Sequence, residues 1–374
     1  MNIFFCGSVL NYEGLKNYKG EPPASSQWIK GFVEGLNFNN TNVTNISAIW
    51  DSLFPKGKLL PGNKLYLDTD LNQELVKYIN LPLIREYSVG NSIYKSIKKQ
   101  IANGNLPDVI FNYNTYPYYV RALKRIKKEY PSIKWINIIL DLDDPSVDNW
   151  KNFLSDTLGS DGSVFLSWWG YENAPIKNKF HLDCGWNGEL PTVNYTDEIK
   201  FIHAGKNAKY GGTDELIEVI RNCRLEYVSF HFYGKDSYST LTQLAELDKR
   251  VVLHGFVSNE ELDEACRNAT AFLSPRELNF QGTKMIFPSK LLTYLKYQKP
   301  IISAILPGLS PDYSDLLIVP ETNDSNGWND AINKILNYTE IEFNDIKGRS
   351  NELLVKKHWN YQTNLLLNFI NKLT

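Results

Sequence analysis

The feature that most constrains this chain is a rhythm in which short, continuous apolar runs alternate with stretches whose apolar residues recur at helical spacing. In the first half the runs are Ile3–Cys6, Val43–Ile49, Val109–Asn112, Trp135–Leu140 and Val164–Ser167. In the second half they are Lys200–His203, Tyr227–Tyr233, Val251–Leu253, Ala271–Ser274, Pro300–Ser303 and Leu316–Val319. Most do not alternate apolar with polar residues, so strands made from them are covered on both faces. Between them, Trp28, Ile29, Phe32, Val33 and Leu36 form one helical stripe. Leu216, Ile217 and Ile220 repeat it after Asp214, Leu291, Leu292 and Leu295 after Ser289, and Leu365, Leu366, Phe369 and Ile370 near the carboxyl end. Strands alternating with helices predict parallel sheets in an α/β protein.

The 374 residues are too many for one ordinary core and suit two domains. The stretch LPTVNYTD, Leu190–Asp197, has no apolar period and precedes a fresh strand. The expected layout is therefore a Rossmann-like domain over 1–195, a second over 196–355, and a terminal helix over 356–374 that packs back on the first. The two domains are expected to face a cleft. In such sheets ligands lie beyond the carboxyl ends of the strands, which is where functional residues belong.

Composition excludes several classes. With 43% hydrophobic and 22% charged residues the chain is globular, neither disordered nor collagen-like. A net charge of −2 argues against a nucleic-acid partner. Cys6, Cys184, Cys223 and Cys266 form no C-x-x-C pair and read as reduced thiols of a cytoplasmic protein. The start MNIFFCGSVLNYEG lacks the charged and apolar regions of a signal peptide, and no apolar run is long enough to cross a membrane. Three N-x-[ST] sequons between Asn39 and Ser47 read as chance in an Asn-rich sequence.

Chemistry concentrates in the second half. Ser289 and Lys290 follow Pro288 and precede an apolar-striped helix, which sets a hydroxyl, free backbone N–H groups and an ammonium at a helix start suited to an anion. Lys206 and Lys209 sit in the loop after strand Lys200–His203, where Gly205, Gly211 and Gly212 let backbone approach closely. Two basic loops of one domain can converge on one diphosphate. The plainer reading of Ser289 is an N-cap, and of either loop lysine a solvated side chain.

FIHAGKNAKYGGTDELIEVI (201–220), VVLHGFVSNEELDEACRNATAFLSP (251–275) and FPSKLLTYLKYQKPIIS (287–303) resemble, in order and spacing, the donor-domain blocks of GT-B glycosyltransferases of the family 4, group 1 type. The third block, with its Pro-Ser-Lys start and Lys-Pro end, is the most specific. The resemblance covers about 100 residues of the chain. It implies a GT-B fold of two Rossmann-like domains, a nucleotide-diphosphate-sugar donor that is UDP- or GDP-linked, retention of configuration, and neither metal nor other cofactor. It also implies a place in bacterial surface polysaccharide or glycoconjugate synthesis. By position it assigns the leaving diphosphate to Lys206, Ser289 and Lys290, with Gly205 beside them in the donor site, and the nucleotide base to the neighbourhood of Gly234, Phe256 and Val257. Phe256 either stacks on that base or fills the core, and the core is the favoured reading. Thr293 stands where many members carry a ribose-binding Glu. A hydroxyl still hydrogen-bonds but is no ionised acceptor. Glu277, upstream in a longer loop, is the substitute considered. His231 and His254 read as lone structural histidines.

In the first half, strand WINIIL runs into DLDDPSVDNW, which puts Asp141, Asp143 and Asp144 at a strand's carboxyl end. One reading is a contact to the acceptor hydroxyl or a general base. The others are a turn and helix cap before Pro145 and a D-x-D metal site. The long loop Gly7–Gln27 offers Gly7, Glu21 and Ser25 as acceptor contacts. Five basic residues fall within Arg121–Lys128 of the segment 121–134, either as a solvated helix face or as a peripheral contact with anionic lipid.

The leading expectation is an enzyme that transfers a sugar to a hydroxyl of a glycan or glycolipid. An epimerase or phosphorylase on the same fold, and a non-catalytic binding subunit, are the alternatives.

Overall fold

The computed structural model describes residues 1–18, 20, 22–140, 150–194, 196–234, 238–278 and 281–373. The chain forms two units. The first comprises Met1–Asn187 with Lys357–Thr374, and the second Gly188–Lys356.

The first unit holds strands β1 (Asn2–Cys6), β2 (Asn42–Ser47), β3 (Gln73–Leu75), β4 (Val109–Tyr113), β5 (Lys134–Ile139), β6 (Gly162–Phe165) and β7 (Lys179–His181). They make one parallel sheet in the order β3-β2-β1-β4-β5-β6-β7. The sequence rhythm finds five of these strands. It passes over β3 and β7, which have three residues each, lie at the two edges and carry no apolar run.

One face of the sheet packs Phe4, Cys6, Ile110 and Trp135 against Val89, Ile93 and Ile97 of helix Arg85–Ala102 and Leu123 and Ile126 of helix Pro117–Glu129. On the other face Phe5 and Phe111 meet Phe32 of helix Pro23–Phe38. That helix starts at a proline whose missing N–H costs nothing there, and buries the expected Trp28–Leu36 stripe. Gly31 and Gly35, one turn apart on it, leave room for Trp359 of the terminal helix Trp359–Asn371, whose indole crosses Trp28 edge-on at 5.3 Å. The Lys357 ammonium, buried just before that helix, donates to Asp183 at 2.8 Å.

The segment Gly7–Gln27 is not a continuous loop. Asn11 caps a helix Tyr12–Asn17 by accepting from the Gly14 N–H at 2.9 Å, and helix Pro23–Phe38 starts inside it. The loop expectation overlooked this Asn cap, which makes a short helix possible without an apolar stripe.

The second unit holds β8 (Ile199–Ala204), β9 (Val228–Tyr233), β10 (Val251–Gly255), β11 (Ala271–Ser274), β12 (Ile301–Ser303) and β13 (Leu317–Ile318), parallel in the order β10-β9-β8-β11-β12-β13. Its core sets Phe201, Phe230, Phe232 and Leu273 against Leu216 and Ile220 of helix Thr213–Asn222 and Trp328 and Ile332 of helix Ser325–Leu336. No disulfide joins the cysteines among the described residues, and Cys6, Cys223 and Cys266 are buried. Asn45, within one sequon, is fully buried in β2, where no glycan fits. Among the described residues no helix is long and apolar enough to cross a membrane.

Candidate functional site

The carboxyl ends of β8, β9 and β10 are joined by a relay of glycines. Gly205 donates to the Tyr233 carbonyl at 2.8 Å, and Gly234 donates to the Gly255 carbonyl at 2.8 Å. All three glycines have positive φ, at +144°, +153° and +68°. A side chain at Gly234 would overlap the Gly205 carbonyl oxygen, so these two loops touch backbone to backbone. Gly212, with φ +81°, performs the same service on the other side. A Cβ there would come within 2.6 Å of the Arg276 nitrogen and of Pro275, which lie just past β11.

The helix Lys290–Leu295 is pinned to this rim. The Ala204 N–H, the last of β8, donates to the Tyr294 hydroxyl at 2.7 Å, and the Tyr294 ring stacks on Phe272 of β11 at 4.4 Å. Ser289 and Thr293, one turn apart, are both exposed. The Ser289 side chain makes no cap hydrogen bond, contrary to the plainer reading of that residue. Its hydroxyl is committed to nothing in the helix.

Lys290 is half-buried, and removal of its ammonium from water together with the neighbouring Arg276 charge holds its pKa well below the ordinary lysine range. No carboxylate among the described residues offsets these effects. His203, buried in β8, belongs to the same cluster. Burial, then Lys290 and Arg276, push its pKa well down, so the ring is neutral. Its Nδ1 donates to the Leu273 carbonyl at 3.1 Å, which leaves Nε2 as a buried acceptor with no partner. Burial and the neighbouring cation both disfavour the charged form of Lys290, and an anion bound beside it would offset them.

Lys206 and Lys209 are exposed in the Gly205–Gly212 loop, with Lys209 close enough to Glu215 to lower that carboxyl's pKa. Burial is the larger influence on Glu215 and raises it, and Glu277 and Asp214 add to the rise. Glu277 thus stands among carboxylates at the start of helix Thr213–Asn222. Among the described residues no group of three His, Cys, Asp or Glu side chains could hold a metal ion.

The comparisons bear on this rim. The chain matches the family described as glycosyl transferases group 1 over residues 198–338. The matched residues lie within the second unit. The group 1 match covers all six strands β8–β13 and every donor-site residue named from the sequence. No curated protein matches the chain in sequence. Among solved structures, sucrose-phosphate synthase from Thermosynechococcus elongatus aligns with a TM-score of 0.69 at 12% identity, over 100% of this chain and 99% of its own. A glycosyltransferase from Rickettsia africae aligns at 0.70 and 11%, over 100% and 98%. Anabaena HepE, solved in complex with UDP and glucose, aligns at 0.65 and 12%, over 98% and 99%. With its two parallel sheets the chain has the GT-B glycosyltransferase fold.

Within the matched region the structure revises several sequence readings. Phe256 is not core. It is 69% exposed just past β10, the edge strand of its sheet. Val257 beside it is half-buried. His231 and His254 are not lone histidines: their rings stack, with Nδ1 of His231 2.9 Å from Nε2 of His254, and His254 stacks on Tyr233. Lys299 of the Lys-Pro pair is structural. Its buried ammonium donates to the carbonyls of Asn194 and Arg267, at 3.0 and 2.6 Å, and to that of Ala269.

Arg276 and His203 were missed in the sequence. The signal for Arg276 was present, a basic residue just past the Ser-Pro that closes a strand. His203, inside an apolar strand, gives no such signal.

In the first unit Gly7 is packed tightly, since a Cβ would lie 2.6 Å from the Phe5 ring. Ser25 sits in the first turn of helix Pro23–Phe38 and donates to the Pro22 carbonyl at 2.7 Å. Its hydroxyl is thereby engaged within its own turn. Glu21, Asp141, Asp143 and Asp144 lie outside the described residues.

Proposed function

We propose that the chain is a glycosyltransferase that moves a sugar from a UDP- or GDP-linked donor to a hydroxyl of a glycan or glycolipid. The observation that carries this reading is the desolvated Lys290 ammonium beside Arg276, within the region that matches the group 1 family. Breaking the sugar–phosphate bond places new negative charge on the departing diphosphate. A lysine already fixed and desolvated at that point, with an arginine beside it, stabilises it without reorganising when the bond breaks. Ser289 adds a hydroxyl, and Lys206 and Lys209 supply charge from the Gly205–Gly212 loop. Phe256 offers an exposed ring at the far end of the same rim for a nucleotide base. Asp141, Asp143 and Asp144 take the acceptor role, one of them accepting the proton of the attacking hydroxyl. Retention, independence from metal, and a role in bacterial surface glycans rest on the family resemblance alone.

The test is thermal unfolding with UDP, GDP, ADP, CMP and dTDP, with and without Mg²⁺, on the protein and on Lys290→Ala. A nucleotide at a hundred times its Kd adds about 2.7 kcal/mol. The expected result is stabilisation by one diphosphate without metal, lost in Lys290→Ala. Stabilisation by none of them would remove the donor site and leave a non-catalytic subunit as the better reading.

A further inference from the structure

Leu83 is fully exposed, at 102%, and sits at φ +66°. A leucine in the left-handed region is strained where a glycine or asparagine is at ease, and with its side chain in water it recovers nothing by packing. The fold gives no reason for this residue. Nor does it stand alone. Ile84 and Tyr87, in the turns that start helix Arg85–Ala102, are exposed as well. The Ile79 N–H donates to Ser88 of that helix at 2.9 Å, which sets exposed Ile79 beside them. The Phe54 N–H donates to the Asn80 carbonyl at 3.1 Å and brings the exposed Leu53 and Phe54 to the same place. Arg85, its guanidinium 3.9 Å over the Trp50 ring, fastens this loop to the helix.

Basic side chains border the patch. Helix Pro117–Glu129 lies alongside, with Arg121 at 5.6 Å from the Tyr87 ring and Arg125 at 3.6 Å from the Tyr94 ring. Between residues 85 and 129 there are nine Lys and Arg against three Asp and Glu, of which Glu86 is the one in the helix's first turn. The basic stretch seen in the sequence is not uniformly available. Lys127 is held by Asp161 at 2.7 Å, and Lys124 donates to the Ser155 carbonyl at 2.8 Å. Arg121, Arg125 and Lys128 remain exposed.

We propose that this end of the first unit is a docking surface for an anionic lipid bilayer. Protruding apolar tips enter the region between headgroups and acyl chains, while flanking arginines meet phosphodiester groups. Arginines lying over tyrosines keep their heads at the depth of the headgroups. Charge decides against a second copy of this chain as the occupant, because a two-fold contact through the patch would set its excess of basic residues against the same excess. The contact is peripheral and independent of the donor site.

The experiment is co-sedimentation of the full chain with phosphatidylcholine vesicles, with and without phosphatidylglycerol, at low and high salt. Two double variants accompany it, Leu83→Asn with Ile84→Asn, and Arg121→Gln with Arg125→Gln. Asparagine is at ease at φ +66°, so the first variant keeps the fold, which circular dichroism and the nucleotide-induced thermal shift verify. Binding is expected with phosphatidylglycerol only, weakened by salt, and weakened about tenfold by each double variant. Three results overturn the proposal. They are no sedimentation with anionic vesicles, equal binding to neutral ones, and binding that persists in the Leu83→Asn, Ile84→Asn variant. A lipid-free dimer that this variant abolishes would also overturn it, by making the patch a contact between copies. Neither vesicle binding nor its loss depends on sugar transfer, so this test and that of the donor site fail separately.

Discussion

Gly234 shows how a single atom sets the geometry of the rim at the carboxyl ends of β8, β9 and β10. Its φ of +153° suits glycine alone, and a methyl group there would overlap the Gly205 carbonyl oxygen. Gly234→Ala is expected to cost about 2–4 kcal/mol and to weaken nucleotide binding, because the Gly205 loop must retreat. Gly348→Ala is the matched control. It lies in helix Glu340–Lys357 with open space around its Cβ, and should gain about 0.5–1 kcal/mol. Urea unfolding of both variants checks the contrast, and equal effects would contradict it.

The histidine pair supplies a pH dependence whose sign follows from its setting. Burial, then the His254 and Lys200 charges, lower the His231 pKa to about 4, and burial lowers that of His254. Glu198, which pairs with Lys200, is the acidic group acting in the opposite sense. The unfolded chain therefore takes up protons first, from about pH 6.5 downward, and stability falls with pH until the folded His231 protonates near pH 4. Melting temperature measured from pH 7 to 4 should drop, and the drop should shrink in His231→Gln. An unchanged slope in that variant would place the dependence elsewhere.

Among the elements, the terminal helix Trp359–Asn371 depends most on one contact. The Lys357 ammonium and the Asp183 carboxylate meet at 2.8 Å with almost no exposure, and the second Asp183 oxygen has no partner. Such a pair adds little over apolar residues of like shape but is costly to break, since the survivor stays charged and buried. Asp183→Ala should cost about 3–5 kcal/mol, and Asp183→Leu combined with Lys357→Met should recover most of it. Tryptophan fluorescence follows this directly, because eight of the nine tryptophans lie in the first unit and only Trp328 in the second. A double variant as unstable as the single one would show that the charges themselves hold the helix.

At the scale of the whole molecule, the apolar rhythm alone predicts two parallel α/β sheets, because strands covered on both faces have to be apolar throughout and the helices over them have to be striped. The group 1 blocks were equally legible, since Gly205, Ser289 and Lys290 are residue types that a diphosphate site requires at the ends of apolar runs. Edge strands β3 and β7 were not, for a strand with one neighbour and three residues needs no apolar signature. Tertiary structure alone decided which cations meet. Arg276 and His203 reach Lys290 because the ends of β8 and β11 and the start of helix Lys290–Leu295 meet at one rim, and that convergence has no trace in spacing along the chain. It also decided that Lys299 ties down a helix end, that Phe256 faces water, and that Leu83 protrudes among arginines. Local pattern determines what each segment can form, whereas burial and proximity belong to pairs of segments far apart in sequence and exist only once the sheets have closed.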